Sequence, residues 1–520
     1  MAQNIPAKCT GNAHRSNFQT NITTMGESNN GRVLSENSNN SGGDEKLELK
    51  RELGLFSATN LIIGVIIGSG IFVSPSLALE KSGSVGLCLT IWAACGLISL
   101  LGALCFAELG LLIPRSGAEY VYIQEAFGRM HKFWGPLPSF LCSWVYVVIC
   151  RPAEVAVIIL AFSEYVCQPF EMHFGVMSPE YRDLAIKLIS LIGLSLLTYI
   201  NFVSVKVFVR VQNLFTITKL LACFILIIAG IYQLSIGNTS NITRGFEGSN
   251  ITPKHISLAF YYCLWPYDGW STVTIVTEEV KKPEVNILRS ILIAVPVVTV
   301  VYFMINIAYM TILTIPEMIE APAVAVHCTN RTLGVFNFVI PLGVAMSAFG
   351  SALSIQFSIA RLCYVASKEG HMLEAFSYIH MRRFTPAPAV ILQGVLTTVF
   401  ILAGNIATLI DFASFLIWIF YGLAMISLLV LRKTMKDVER PFTVQLWIPV
   451  FMIFVSLFLC LVPIITDPSP HYFIAIVLIA LGVAVYIPFV FYMIRPAFMD
   501  KFTYYVQMLM EVAPEEKRSE

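Results

Sequence analysis

Apolar stretches of about 20 residues recur along most of this chain, and each is long enough to cross a bilayer as a helix. That recurrence limits the fold more than any other feature. Of the 520 residues, 56% are hydrophobic and 13% charged, about half the charged share of a soluble protein. The chain is predicted to be an all-α polytopic membrane protein. About twelve spans are expected, near 56–79, 86–112, 136–160, 184–203, 211–236, 255–278, 290–314, 335–360, 386–404, 407–431, 446–466 and 470–494.

Residues 1–52 are rich in Asn, Ser, Gly and charge. They are expected to form a disordered cytosolic tail ahead of a twelve-helix domain over 53–494. An amphipathic cytosolic segment and tail follow over 495–520. No early apolar run has signal-peptide form, so the first span is expected to direct insertion uncleaved. Basic residues follow every even span: Arg115, Arg129 and Lys132; Lys206 and Arg210; Lys281, Lys282 and Arg289; Lys368, Arg382 and Arg383; Arg432, Lys433, Lys436 and Arg440. This bias puts those loops, and both termini, in the cytosol. The sequons at Asn238, Asn241, Asn250 and Asn330 fall in loops that are then external, where glycosylation is possible. A net charge of +1 gives no reason to expect a nucleic-acid partner. Most of the 12 cysteines lie within spans, with Cys9, Cys167 and Cys328 as the aqueous exceptions.

Two polar breaks interrupt this pattern. Ile66-Ile67-Gly68-Ser69-Gly70-Ile71-Phe72 sits within the first span, and glycines are poor helix interior. Non-helical backbone at that depth is tolerated only where it lines a cavity or is buried in protein. The stretch is either a close helix-packing seam or an unwound binding site. If it is unwound, the half-helix starting near Ser69 offers free N–H groups and a positive dipole end to a carboxylate. The half-helix ending near Ile66 and Ile67 offers carbonyl oxygens to an ammonium. The second break, Leu264-Trp265-Pro266-Tyr267-Asp268-Gly269-Trp270, lies in the sixth span. Pro266 disfavours continuous helix, Gly269 supplies backbone freedom, and Trp265, Tyr267 and Trp270 could line or close a cavity. Interruptions at matching places in two halves point to a transporter site and to an inverted repeat of five plus five helices.

Charges at membrane depth are expensive and need partners. Asp268 reads either as a group that favours substrates with an extra positive charge or as half of a structural ion pair with Arg151. Arg151 and Glu154 stand one helical turn apart and could pair with each other. Lys219 either supplies a fixed cation or bonds exposed carbonyls and snorkels, and Glu108 reads as structural. No cofactor or metal is implied. Cys-x₂-Cys, His-Glu-x₂-His, Walker and Gly-x-Ser-x-Gly patterns are absent, so no enzyme is expected. His131, His327, His371 and His380 read as scattered surface residues.

Ile66-Ile67-Gly68-Ser69-Gly70-Ile71-Phe72-Val73-Ser74-Pro75, Gly83-Ser84-Val85-Gly86, Ala107-Glu108-Leu109-Gly110, Thr277-Glu278-Glu279 and Glu369-Gly370-His371 together resemble the light chains of heteromeric amino-acid transporters. The resemblance covers about 45–516 and implies the leucine-transporter-like fold of the amino acid–polyamine–organocation superfamily, with helices 1 and 6 broken. Trp265-x-Tyr267-Asp268-Gly269-Trp270 and the tail Leu509 to Glu516 are most similar to the broad-scope b-zero-plus type, which exchanges cationic and neutral amino acids and cystine. Pro266 replaces the small residue usual there. The resemblance implies that Ile66, Gly68, Ser69, Gly70 and Ile71 hold the substrate's α-amino and carboxyl groups. It makes Trp265 the outer gate, and Pro266, Tyr267 and Asp268 the lining. Lys219 matches a family lysine that substitutes for a second sodium site, which implies sodium-independent exchange.

Family light chains carry a cysteine a few residues after Pro169-Phe170 that bonds a single-span glycoprotein heavy chain. Glu171 to Ser178 contains none. Such a partner is held through Cys167, held noncovalently, or absent. The expected function is amino-acid exchange across the plasma membrane by alternating access. Its rivals are an aromatic-preferring transporter, a proton- or sodium-coupled symporter, and a channel or scaffold.

Overall fold

The computed structural model describes residues 51–174, 178–320, 324–332, 339–403, 406–466, 468 and 470–514. Residues 1–50 of the tail expected over 1–52, and the last six residues, lie outside this range; Glu52 itself is tied down, its N–H bonding Glu279 O at 3.1 Å. The first span is a bent pair, α1 (Leu55–Ile66) and α2 (Gly70–Ser82), which meet at 45°. Next come α3 (Val85–Leu112) and a short α4 (Glu119–Phe127). A long span is built from α5 (Leu137–Trp144), a π-helical stretch (Val145–Cys150) and α6 (Arg151–Phe174). It is followed by α7 (Pro179–Val203) and α8 (Val205–Ser235). The sixth span is α9 (Pro253–Tyr267) and a four-residue α10 (Thr272–Ile275).

In the second half, α11 (Pro283–Ile312) precedes two short helices, α12 (Ile315–Glu320) and α13 (Val324–Thr332). Then follow α14 (Val339–Lys368), α15 (Ala387–Ala403), α16 (Ile406–Thr434), α17 (Trp447–Thr466), α18 (Pro470–Tyr486) and α19 (Ala497–Met510). Among the described residues, nine helices are long and apolar enough to cross a membrane, and the bent pair makes ten. The other two expected spans are shorter helical stretches, α15 and the interrupted α9–α10.

Burial follows from helical spacing. On α7, Leu188, Ile192, Leu196 and Tyr199 are exposed, and on α8 Leu214, Ile217, Leu221, Phe224 and Ile228 are exposed. The steps of three and four put each set on one stripe, apolar toward lipid. The inner helices α1, α6 and α14 are buried on most sides.

Loops expected on the same side of the membrane do meet. The α2–α3 turn bonds the loop after α8, through Asn250 N–H to Ser82 O (2.9 Å), Gly86 N–H to Gly245 O (2.7 Å) and the Ser84 and Ser249 hydroxyls (2.7 Å). At the opposite end, Gly117 N–H bonds Ile275 O, Lys281 N–H bonds Leu53 O, and Arg115 pairs with Glu369 at 2.5 Å. Glu108 accepts from Arg432, Arg440 and the Val444 N–H, a structural knot. Tyr378–His380 pairs antiparallel with Val512–Pro514, which ties the end of α19 to the loop after α14.

Two histidines depart from the surface reading. His371 and His380 are both buried. His371 Nδ1 bonds the Tyr120 hydroxyl at 2.9 Å, because the loop after α14 folds back under α4 and α5 rather than into solvent.

Candidate functional site

Both breaks exist, and they touch. At the first, Ile67 leaves the helix (ψ 89°) and α2 starts at Gly70. Ser69 stands at its N-cap without a side-chain cap; Phe72 N–H bonds Ser69 O at 3.1 Å, and the N–H groups of Gly70 and Ile71 before it have no place in the intrahelical ladder. At the second, Asp268 is extended (ψ 149°) and Gly269 takes φ +109°, a conformation that favours glycine. The helix leaves its path two residues later than Pro266 suggests. Pro266 lies in the last turn of α9 and packs on the first break. A Cβ on Gly70 would come 3.0 Å from Pro266 Cα, and one on Gly269 would come 2.3 Å from Val65 Cγ1. Only glycine permits these approaches.

Four carbonyls at the first break, those of Gly64, Ile66, Ile67 and Gly68, accept hydrogen bonds from side chains. Lys219, fully buried on α8, donates to Gly64 O (2.7 Å) and Ile67 O (2.6 Å). Ser351 reaches the same two carbonyls, at 2.8 and 3.1 Å, and Ser347 reaches Ile67 O and Gly68 O. The Tyr302 hydroxyl lies 2.6 Å from Ile66 O and 3.0 Å from Pro266 O, so one phenol joins both breaks. Of the two readings of Lys219, the observed contacts are those of an ammonium on bare carbonyls. In this conformation those carbonyls are occupied by the protein's own donors.

At the second break the partners are side chains. Arg151 Nη1 stands 2.6 Å from Glu154 Oε2 and 2.8 Å from Asp268 Oδ2, all three nearly out of contact with solvent. Pro152 does not prevent the Arg151–Glu154 turn from closing. Tyr421 on α16 donates to Asp268 Oδ1 at 2.5 Å. A cleft adjoins this cluster, walled by Trp265, Trp270, Trp418 and Tyr421, with Asp268 and the hydroxyls of Ser99 and Ser414 on it. Neither hydroxyl has a partner among the described residues.

Tyr267 and Pro266 do not line this cleft. Helical register turns Tyr267 into the α3–α11 seam, where its hydroxyl bonds Trp92 O (3.2 Å) and its ring meets Tyr302. Trp265 and Asp268, three residues apart, share the opposite face. None of Ile66, Gly68, Ser69, Gly70 or Ile71 borders the cleft either.

Among the expected external sites, Asn238 is exposed. Asn241 is not free, because its Nδ2 donates to Met310 O and Leu313 O at 2.9 and 2.8 Å. Asn250 is half-buried, and the side chain of Asn330 lies outside the described residues. Cys167 is 2% exposed within α6, not on an external loop. Its thiol reaches a second chain only if that helix end opens. No group of three or more His, Cys, Asp or Glu suited to a metal occurs among the described residues.

Sequence reasoning missed Tyr302, Ser347, Ser351, Tyr421, Ser99 and Ser414. The serines had a signal: Ser347, Ser351, Ser354 and Ser358 form a stripe at steps of three and four in an apolar span. Tyrosines in such spans carry none.

Two discontinuous helices in contact at mid-span, with buried charge beside them, define a membrane permease. The chain belongs to the amino acid permease family, which it matches over residues 53–494. It is 43% identical over 474 residues to the human (Homo sapiens) b(0,+)-type amino acid transporter 1, covering 91% of this chain and 95% of the relative. It is 41% identical over 493 residues to the human cystine/glutamate transporter (94% and 96%). It is 39% identical over 463 residues to the Asc-type amino acid transporter 1 of Mus musculus (88% and 85%).

Proposed function

We propose that this chain is a sodium-independent amino-acid exchanger of the plasma membrane that carries neutral and cationic amino acids or cystine by alternating access. The observation that carries this reading is the junction of the two breaks at Tyr302, with the Arg151–Asp268 pair on one side and Lys219 on the other. The uncapped start of α2 suits a substrate carboxylate. Its α-amino group reaches the carbonyls of the first break only as the present donors shift, which links binding to movement. Asp268 reads the substrate side chain: a cationic tip competes with Arg151 for one carboxylate. Lys219 supplies the positive charge that a bound cation would otherwise bring. A heavy-chain partner is held without a disulfide, given the burial of Cys167.

Uptake of labelled leucine into vesicles carrying the purified protein, preloaded with arginine, leucine or nothing, tests this. Exchange requires uptake only with internal substrate and no change when sodium is replaced. Equal uptake into empty vesicles, or uptake that needs sodium or an external proton gradient, overturns it in favour of a channel or a coupled symporter.

A further inference from the structure

Beside the Arg151 cluster lies a carboxyl that the exchange reading leaves without a task. Glu119 begins α4, is 1% exposed, and belongs to none of the spanning helices. The Ser271 side chain, between α9 and α10, lies close enough to favour its ionised form, while its Oε1 has no partner among the described residues. The groups that face it are Tyr122 on its own helix, Cys142 from α5, Tyr146 from the π-helical stretch, Arg151 from α6, Asp268 from the break and Tyr421 from α16. The Tyr146 hydroxyl is also unpartnered.

Arg151 is the one cation in this set, and Glu154 and Asp268 already share it. Three carboxylates around one guanidinium leave two uncompensated negative charges away from water. Burying uncompensated charge costs far more than shedding it by protonation. Glu119 lacks an ion-pair partner, so it is the group that gives way. Burial pushes its carboxyl up to about 7, against the pull of Arg151.

We propose that Glu119 is a proton-binding site linked to the charge of the transported side chain. It holds a proton while the cleft carries a neutral side chain. When a cationic side chain enters, the Glu119 O–H bond breaks, the electron pair stays on the carboxylate, and the proton leaves to water on the cytosolic side. One positive charge arrives as another departs, so the cluster keeps its net charge. His371 is not responsible: burial lowers it to about 4, so its imidazole stays neutral where Glu119 titrates. The proposal rests on Asp268 reading side-chain charge.

The test uses leucine-loaded vesicles at fixed external pH, with internal pH set between about 5.5 and about 8.5 to span the carboxyl's titration. Initial uptake of arginine is divided by that of leucine within each variant. In the wild type the ratio rises about threefold or more as internal pH rises. In Glu119→Gln it is independent of internal pH. Ser271→Ala removes a group that favours the ionised form and moves the profile to higher pH; it decides the matter if Glu119→Gln is not monodisperse on size exclusion. A flat wild-type ratio, or an unchanged profile in both variants, overturns the proposal. Loss of leucine-for-leucine exchange in the wild type would instead remove the exchange reading itself.

Discussion

The two breaks solve the same problem by different means. Both free backbone groups at membrane depth, where water cannot satisfy them. At the first, the loose carbonyls are gathered by donors from three separate helices: Lys219 on α8, Tyr302 on α11, Ser347 and Ser351 on α14. At the second, the prominent group is a side-chain carboxylate, held by Arg151 and Tyr421 and open to an aromatic cleft. Main-chain contacts cannot tell one amino acid from another, whereas a side-chain carboxylate beside a cleft can. The first break is therefore expected to govern whether anything moves, and the second to govern what moves.

The largest expected effect breaks that division if it is wrong. Lys219→Ala strips the ammonium from Gly64 O and Ile67 O and leaves them to Ser347 and Ser351; each lost hydrogen bond from a charged donor is worth about 1.5–3 kcal/mol. Exchange of arginine and leucine should fall together, by about tenfold or more, with a lower apparent melting temperature of the purified protein. A variant that loses arginine and keeps leucine would place Lys219 in selectivity and dissolve the contrast.

Gly269→Ala comes next. Its φ of +109° and the 2.3 Å approach to Val65 combine backbone strain of about 1–3 kcal/mol with a steric clash. Gly70→Ala meets Pro266 at 3.0 Å and should cost less. Thermal unfolding of the two variants orders them. The reverse order would mean that the breaks are held together at the Pro266 contact rather than at the Val65 contact.

Asp268→Asn should separate substrates rather than abolish transport. The KM for arginine should rise about tenfold, as loss of a hydrogen bond to a charged group of about 1.5–3 kcal/mol implies, while leucine changes little, in the same vesicle assay. Equal changes for both would make the Arg151–Asp268 pair purely structural and remove side-chain reading from the second break.

The fold was largely legible because lipid imposes it: apolar length and basic loops suffice to place helices and their ends. The first break was legible because Gly68-Ser69-Gly70 interrupts an apolar run that has no other reason to contain it. The second was legible in Pro266 and Gly269, which bracket the observed turn within Leu264–Trp270. The chain turns only at Asp268 and Gly269. Tyr267 went to the wrong face, because register depends on where the helix ends. Tyr302 could not be foreseen. Its role comes from standing between two breaks about 200 residues apart in sequence, which no local pattern encodes.

The smallest effect gives the sharpest test. Tyr421 donates to Asp268 from α16, a helix outside both breaks, and its ring also meets Trp270 at 4.6 Å, tilted by 40°. Tyr421→Phe keeps the ring and the wall of the cleft and removes only the donor. A hydrogen bond to a charged group contributes about 1.5–3 kcal/mol, but Arg151 remains to hold the carboxylate. Two opposing consequences follow. Asp268 becomes a stronger acceptor for a cationic substrate, and it is less firmly placed to receive one. If the phenol mainly competes with substrate, the arginine KM falls a few-fold and leucine is unmoved. If it mainly positions the carboxylate, the arginine KM rises by a similar factor. A change of either sign confined to arginine keeps side-chain reading at the second break. An equal change for leucine would transfer Tyr421, and the helix that carries it, to the machinery that moves every substrate.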